Sequence, residues 1–146
     1  MNSSRSSNLV KILSLGVLMA GINATLANAQ EIKGKFTMPF EAHWGGITLP
    51  PGDYTIALDP AAQSTVEVMQ GTRGLGFVLR SGVSEDKKSG PSAMLAVPTP
   101  GGYRITTLHL QELGLTLYFP LPKSERFVLA QTPALNRRVP ILMASN

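Results

Sequence analysis

The sequence predicts an all-β fold, a single antiparallel β-sandwich with a small β-barrel as the alternative, behind an N-terminal signal peptide. Three observations carry this. From Ile32 to Trp44 apolar and polar residues alternate with period two, the signature of a half-buried strand. Short strand-like runs recur at spacings of roughly 8–12 residues, punctuated by turn residues. Eleven prolines and fourteen glycines supply that punctuation, and nothing after residue 30 sustains a helical period.

Residues 1–29 read as an export signal. Arg5 and Lys11 form a positive n-region, Ile12 to Ile22 an uncharged apolar run, and Ala27-Asn28-Ala29 the small-x-small pattern accepted before cleavage at Gln30. Eleven residues make a helix of about 17 Å, short of the ~30 Å hydrocarbon core of a bilayer. The run is expected to be a signal h-region rather than a span, and no later segment approaches spanning length. Residues 30–146 then form one β domain, with 131–146 a partly ordered tail. The expected location is the periplasm or the medium.

Along that domain, Ile32, Phe36, Met38, Phe40, Ala42 and Trp44 share one parity, and Lys33, Lys35, Thr37, Glu41 and His43 the other. Gly34 on the apolar side and Pro39 on the polar side predict a bulge or an edge position, and Gly45-Gly46 ends the strand. After Ile47-Thr48-Leu49, Pro50-Pro51-Gly52-Asp53 predicts a type II turn with glycine at positive φ. Tyr54, Ile56 and Leu58 face inward on a second strand closed by Asp59-Pro60. A third strand spans Thr65–Gln70 with Val66 and Val68 inward; Gly71-Thr72-Arg73-Gly74 turns into a fourth at Leu75–Arg80. Residues 84–91 have loop composition, and Ser92–Val97 form a fifth strand ended by the Pro98–Gly102 break.

Tyr103–Leu110 and Leu113–Leu121 predict a hairpin turning at Gln111–Gly114. Pairing Leu110 with Leu115 and Leu108 with Leu117, with Thr106 opposite Phe119, gives one apolar side. The other side carries Tyr103, Ile105, Thr107, His109, Thr116 and Tyr118. A final strand is predicted at Arg126–Ala130, and Val139–Met143 reads as one more strand or a frayed tail.

Composition narrows the function classes. Thirteen basic residues, two of which leave with the leader, face nine acidic ones, so the domain carries about +2, and its basic residues are scattered. Neither a nucleic-acid footprint nor a polybasic membrane patch is expected. The chain has no cysteine, so packing and sheet hydrogen bonds must hold it. There is no Gly-x-Ser-x-Gly elbow and no thiol nucleophile. Gly71-Thr72-Arg73-Gly74-Leu75-Gly76 resembles a phosphate loop, but no Lys-Ser/Thr follows and a strand stands where a helix should begin. It reads as a turn.

Two constellations are left. Glu41 and His43 lie two apart on one strand face and could share a metal or a proton, with His109 as a distant third ligand; exposed strand residues are the competing reading. The Tyr103, Thr107, His109, Thr116 and Tyr118 face offers aromatic rings flanked by hydroxyls, a chemistry suited to stacking on sugar rings or pairing with a partner. Trp44 reads as a core anchor, and Arg137-Arg138 as a solvated pair.

The stretches Gly34–Gly46, Leu49-Pro-Pro-Gly-Asp-Tyr-Thr55 and Leu113-Gly-Leu-Thr-Leu-Tyr-Phe-Pro120 resemble a group of small exported bacterial proteins marked by Phe-x-x-Pro-Phe followed by Leu-Pro-x-Gly-x-Tyr-Thr. The resemblance implies a β-rich fold and no activity. Together these readings predict an exported, non-catalytic binding or accessory module of the envelope, with a glycan, a peptide or another envelope protein as partner and no cofactor. The alternatives are a metal-assisted enzyme using Glu41, His43 and His109, and a structural protein that self-associates through an edge strand.

Overall fold

The computed structural model describes residues 31–59, 64–85, 90–126 and 135–144. Two antiparallel sheets pack face to face as a sandwich, with no closed barrel. The strands are β1 (Ile32–Met38), β2 (Ala42–Trp44), β3 (Ile47–Leu49), β4 (Gly52–Leu58), β5 (Thr65–Gln70), β6 (Arg73–Leu79), β7 (Gly82–Glu85), β8 (Ala93–Thr99), β9 (Gly102–Leu110), β10 (Leu115–Tyr118), β11 (Arg137–Pro140) and β12 (Leu142–Met143). The first sheet runs β12-β1-β4-β5-β6 and the second β11-β8-β9-β10-β7. The β2–β3 hairpin joins the second sheet through a parallel contact between β2 and the first half of β9.

The predicted first strand is in fact two strands in different sheets. Pro39 breaks the ladder at a bend, β1 stays in the first sheet, and β2 continues in the second with the same alternation. No bulge interrupts β1, whose register with β4 runs unbroken from Ile32↔Leu58 to Met38↔Gly52. Gly34 is needed for another reason: a Cβ there would lie 2.8 Å from both Ile141 Cγ2 and Met143 Sδ, so the C-terminal segment can close on β1 only over a bare backbone. Gly45 combines a φ of 59° with a position where a Cβ would meet Val78 Cγ1 at 3.0 Å. Gly52 does not occupy the predicted type II position; its φ is 158° and it opens β4.

What anchors the entrance to β4 is Tyr54, whose hydroxyl donates to the Pro50 carbonyl at 2.7 Å, a tyrosine corner of the kind sandwich folds use. Its ring stacks on Phe36 at 5.4 Å. Trp44, fully buried, meets Phe36 and Phe119 edge to face at 6.5 and 5.1 Å, so the aromatic centre joins the two sheets. Val66, Val68, Ile56 and Leu58 face inward as the period-two reading requires.

Two bulges alter the expected faces. Between β5 and β6 the register skips Leu75, which packs against the core, while Phe77 and Leu79 point outward. Between β8 and β9, Leu95 opposes Thr107 and Ala96 opposes Ile105, so Thr106 is the extra residue. Ile105 therefore turns into the core at 1% exposure, on the same side as Leu108 and Leu110, and not onto the polar face. The hairpin register is otherwise as predicted: Leu115↔Leu110 and Leu117↔Leu108, with the Phe119 amide donating to Thr106 O at 2.9 Å.

Residues 84–91 were expected to form a loop, yet Ser84 and Glu85 end β7, which pairs with β10. Residues 86–89 lie outside the described residues. So does the predicted strand at Arg126–Ala130 apart from Arg126, which sits in a helical turn. Of the two readings of Val139–Met143, the described residues form strands: β11 pairs with β8 and β12 with β1, passing from one sheet to the other at Ile141. Pro98, predicted as part of a break, falls inside β8, past the end of its pairing with β11, where its missing N–H costs no bond on that side.

Candidate functional site

The outer face of the second sheet holds a groove of about 400 Å³. Its centre is set by hairpin register, which places Thr116 opposite His109 and Tyr118 opposite Thr107. Strand β8 lays Ala93 beside His109 and Leu95 beside Thr107, giving an apolar floor. Strand β11 brings Arg138 opposite Leu95 at one wall, and Gly90 lines the groove beside it.

The polar groups are held by one another. His109 Nδ1 and Thr116 Oγ1 are 3.0 Å apart, and Thr116 is only 6% exposed. Tyr118 Oη lies 3.3 Å from Ser84 Oγ on β7. Arg138 Nη2 donates to the Pro91 carbonyl at 3.1 Å, which fixes the guanidinium at the rim. With Nδ1 engaged, Nε2 is the free nitrogen of the His109 ring, and it is buried with no hydrogen-bond partner among the described residues. An unpaired polar atom beside an apolar floor, ringed by hydroxyls and one cation, is the composition of a ligand cleft.

Of the five residues predicted for this face, four come together. Tyr103 does not, because the Thr106 bulge reverses the parity of everything before it. Tyr103 packs instead on Phe40, with ring centroids 4.4 Å apart, and the Arg137 guanidinium sits 5.0 Å from its ring centroid and 5.2 Å from that of Phe40. Arg137 and Arg138, read as one solvated pair, thus point to opposite faces of β11. Val139, Ile141 and Met143 alternate in sequence, a strand signal that would have put Arg138 on the outer face. Ser84 had no such signal, since its neighbours have loop composition.

The Glu41, His43 and His109 constellation is not assembled. His43 stands beside Arg104 in the parallel β2–β9 contact, and its Nδ1 is 3.1 Å from Thr48 Oγ1. Arg104 precedes His109 by five residues on β9, a separation of about 16 Å at roughly 3.3 Å per residue. Two imidazoles sharing a metal at ~2.1 Å ligand distances must lie much closer. Among the described residues no three His, Cys, Asp or Glu side chains cluster, and no helix is long and apolar enough to cross a membrane. No family model, no curated protein and no solved structure matches this chain, so a functional reading must come from the chemistry of the groove itself.

Proposed function

We propose that the chain is an exported, non-catalytic binding or accessory module of the bacterial envelope, and that the outer groove of the second sheet takes a glycan. The observation that carries this reading is the convergence of Thr107, His109, Thr116, Tyr118 and Arg138 on one apolar floor. Tyr118 is 41% exposed and its ring is the aromatic surface of the groove. Hydroxyls, imidazole and guanidinium offer the directional bonds that sugar hydroxyls require. A glycan array probed with the purified protein is expected to give binding that Tyr118→Ala and Arg138→Ala each weaken by about thirtyfold, a hot-spot loss, with the melting temperature unchanged. Binding confined to a peptide or an envelope protein would reassign the occupant. No binding to any envelope polymer or partner would end the proposal.

A second reading, self-association, draws on β6. This edge strand has no pairing partner beyond β5 among the described residues and exposes Phe77 at 67% and Leu79 at 66%. Unpaired edges with apolar side chains favour strand addition. Sedimentation velocity across a wide concentration range is expected to show dimers that Phe77→Lys abolishes; a monomer throughout excludes this route.

A further inference from the structure

Rows of paired residues set the length and the polarity of the outer groove. One row crosses the strands as Arg138, Leu95, Thr107 and Tyr118, each opposite the next. The adjoining row runs Pro140, Ala93, His109 and Thr116 over the same strands and on to Ser84 of β7. At roughly 4.8 Å between neighbouring strands, the ends of the first row stand about 14 Å apart. A ligand that meets both Arg138 and Tyr118 therefore lies across the strands and finds different chemistry at its two ends.

The charge in the groove is one-sided. Arg138 is the one permanent charge among the described lining residues, and none of them carries a carboxylate. Other cations of the domain are met by their own chain: Lys33 by Glu31 at 2.9 Å, Arg104 by Glu125 at 2.6 Å, and Arg137 by the Phe40 and Tyr103 rings. Arg138 differs from these. Its Nη2 donates to the Pro91 carbonyl, an uncharged acceptor, so the guanidinium is held in place while its charge is not neutralised. Gly90 puts no side chain over that nitrogen, where a Cβ would lie 3.6 Å from it.

A held guanidinium beside an apolar floor favours a planar anion, because its remaining N–H groups form the fork that a carboxylate accepts in two parallel bonds. A phosphate monoester carries about −1.5 to −2 at neutral pH, more than one guanidinium offsets. We infer that the groove selects acidic oligosaccharides, with a uronate carboxylate on Arg138 and a neighbouring sugar ring against Tyr118. This rests on the glycan reading of the groove given above and adds the class of sugar to it.

The test is calorimetric titration of the purified protein with uronate-containing trisaccharides and with the same sugars after reduction of their carboxyl groups to alcohols. The acidic form is expected to bind at least about tenfold tighter, the margin of a charged hydrogen-bonded contact. Arg138→Gln is expected to erase that ratio, and Arg138→Lys, which keeps the charge and loses the fork, to shrink it. Arg137→Gln removes the same charge from the opposite face of β11 and is expected to keep the ratio, which separates a specific contact from the general positive charge of the domain. Melting curves show that each variant is folded. Tyr118→Ala is expected to weaken both forms alike. Equal binding of acid and alcohol, or a ratio that Arg138→Gln leaves intact, overturns the inference while the groove stays a glycan site. Tighter binding of a phosphorylated trisaccharide or of a glutamate-rich peptide also overturns it. Absence of binding to either sugar form ends the glycan reading and this inference together.

Discussion

Tyr54 shows how much one side chain decides. Its hydroxyl reaches back four residues to Pro50, and its burial holds the phenol above its ordinary pKa. Above about pH 10 an unfolded chain gives up this proton while the folded protein keeps it, so the unfolded state binds fewer protons. Stability from this group is fully present below that pH and is lost as pH rises through the folded pKa. Tyr54→Phe is expected to cost about 1 kcal/mol at neutral pH and to flatten the alkaline loss of stability, both measurable by urea denaturation between pH 7 and 11. An unchanged alkaline slope would show that other groups control it. The residues Leu49-Pro50-Pro51-Gly52-Asp53-Tyr54 were legible as a turn into a strand, because proline and glycine act locally. That the tyrosine, and not the φ of Gly52, secures the corner depends on the hydroxyl finding a carbonyl, which composition does not encode.

Strand faces were read correctly wherever period two ran without interruption, as in β4, β5 and the second half of β9. They were misread where a bulge intervened. A bulge costs one ladder position and reverses parity, and Thr106 has no residue type that marks it. The same limit hid the role of Arg104, an inconspicuous residue near the start of β9. Its guanidinium grips Glu125 through two bonds, Nε to Oε2 at 2.6 Å and Nη2 to Oε1 at 2.9 Å, with both side chains less than a fifth exposed. That bidentate pair ties the turn after β10 to the β2–β9 junction, where Arg104 Nη1 also reaches Gly45 O at 3.5 Å. Glu125→Ala is expected to cost about 2 kcal/mol, read as a lower urea midpoint with an unchanged denaturant slope. A loss near zero would mean that solvent already screens the pair.

The two sheets share one hydrophobic cluster, and the chain crosses between them at the Pro39 bend, at Pro50-Pro51, at Arg80-Ser81 and at Ile141. The last crossing closes the structure. The Ile141 amide donates to Ser92 O, the Ala144 amide donates to Lys33 O, and the Ile141 side chain is 5% exposed against Gly34. Ile141→Ala is expected to cost about 2–5 kcal/mol. Trp44 fluorescence and far-ultraviolet circular dichroism should then lose their signals together at a lower temperature, because the segment serves both sheets. Separate transitions would show that the sheets unfold independently. The sequence by itself determined the all-β class, the identity of most strands and the hairpin register, since alternation and turn chemistry are local and survive in any sheet arrangement. Only the tertiary structure decided which strand joins which sheet, that Tyr103 leaves the polar face while Ser84 reaches it, and that His43 and His109 stay apart, because those outcomes depend on bulges, crossings and contacts between residues far apart in the chain.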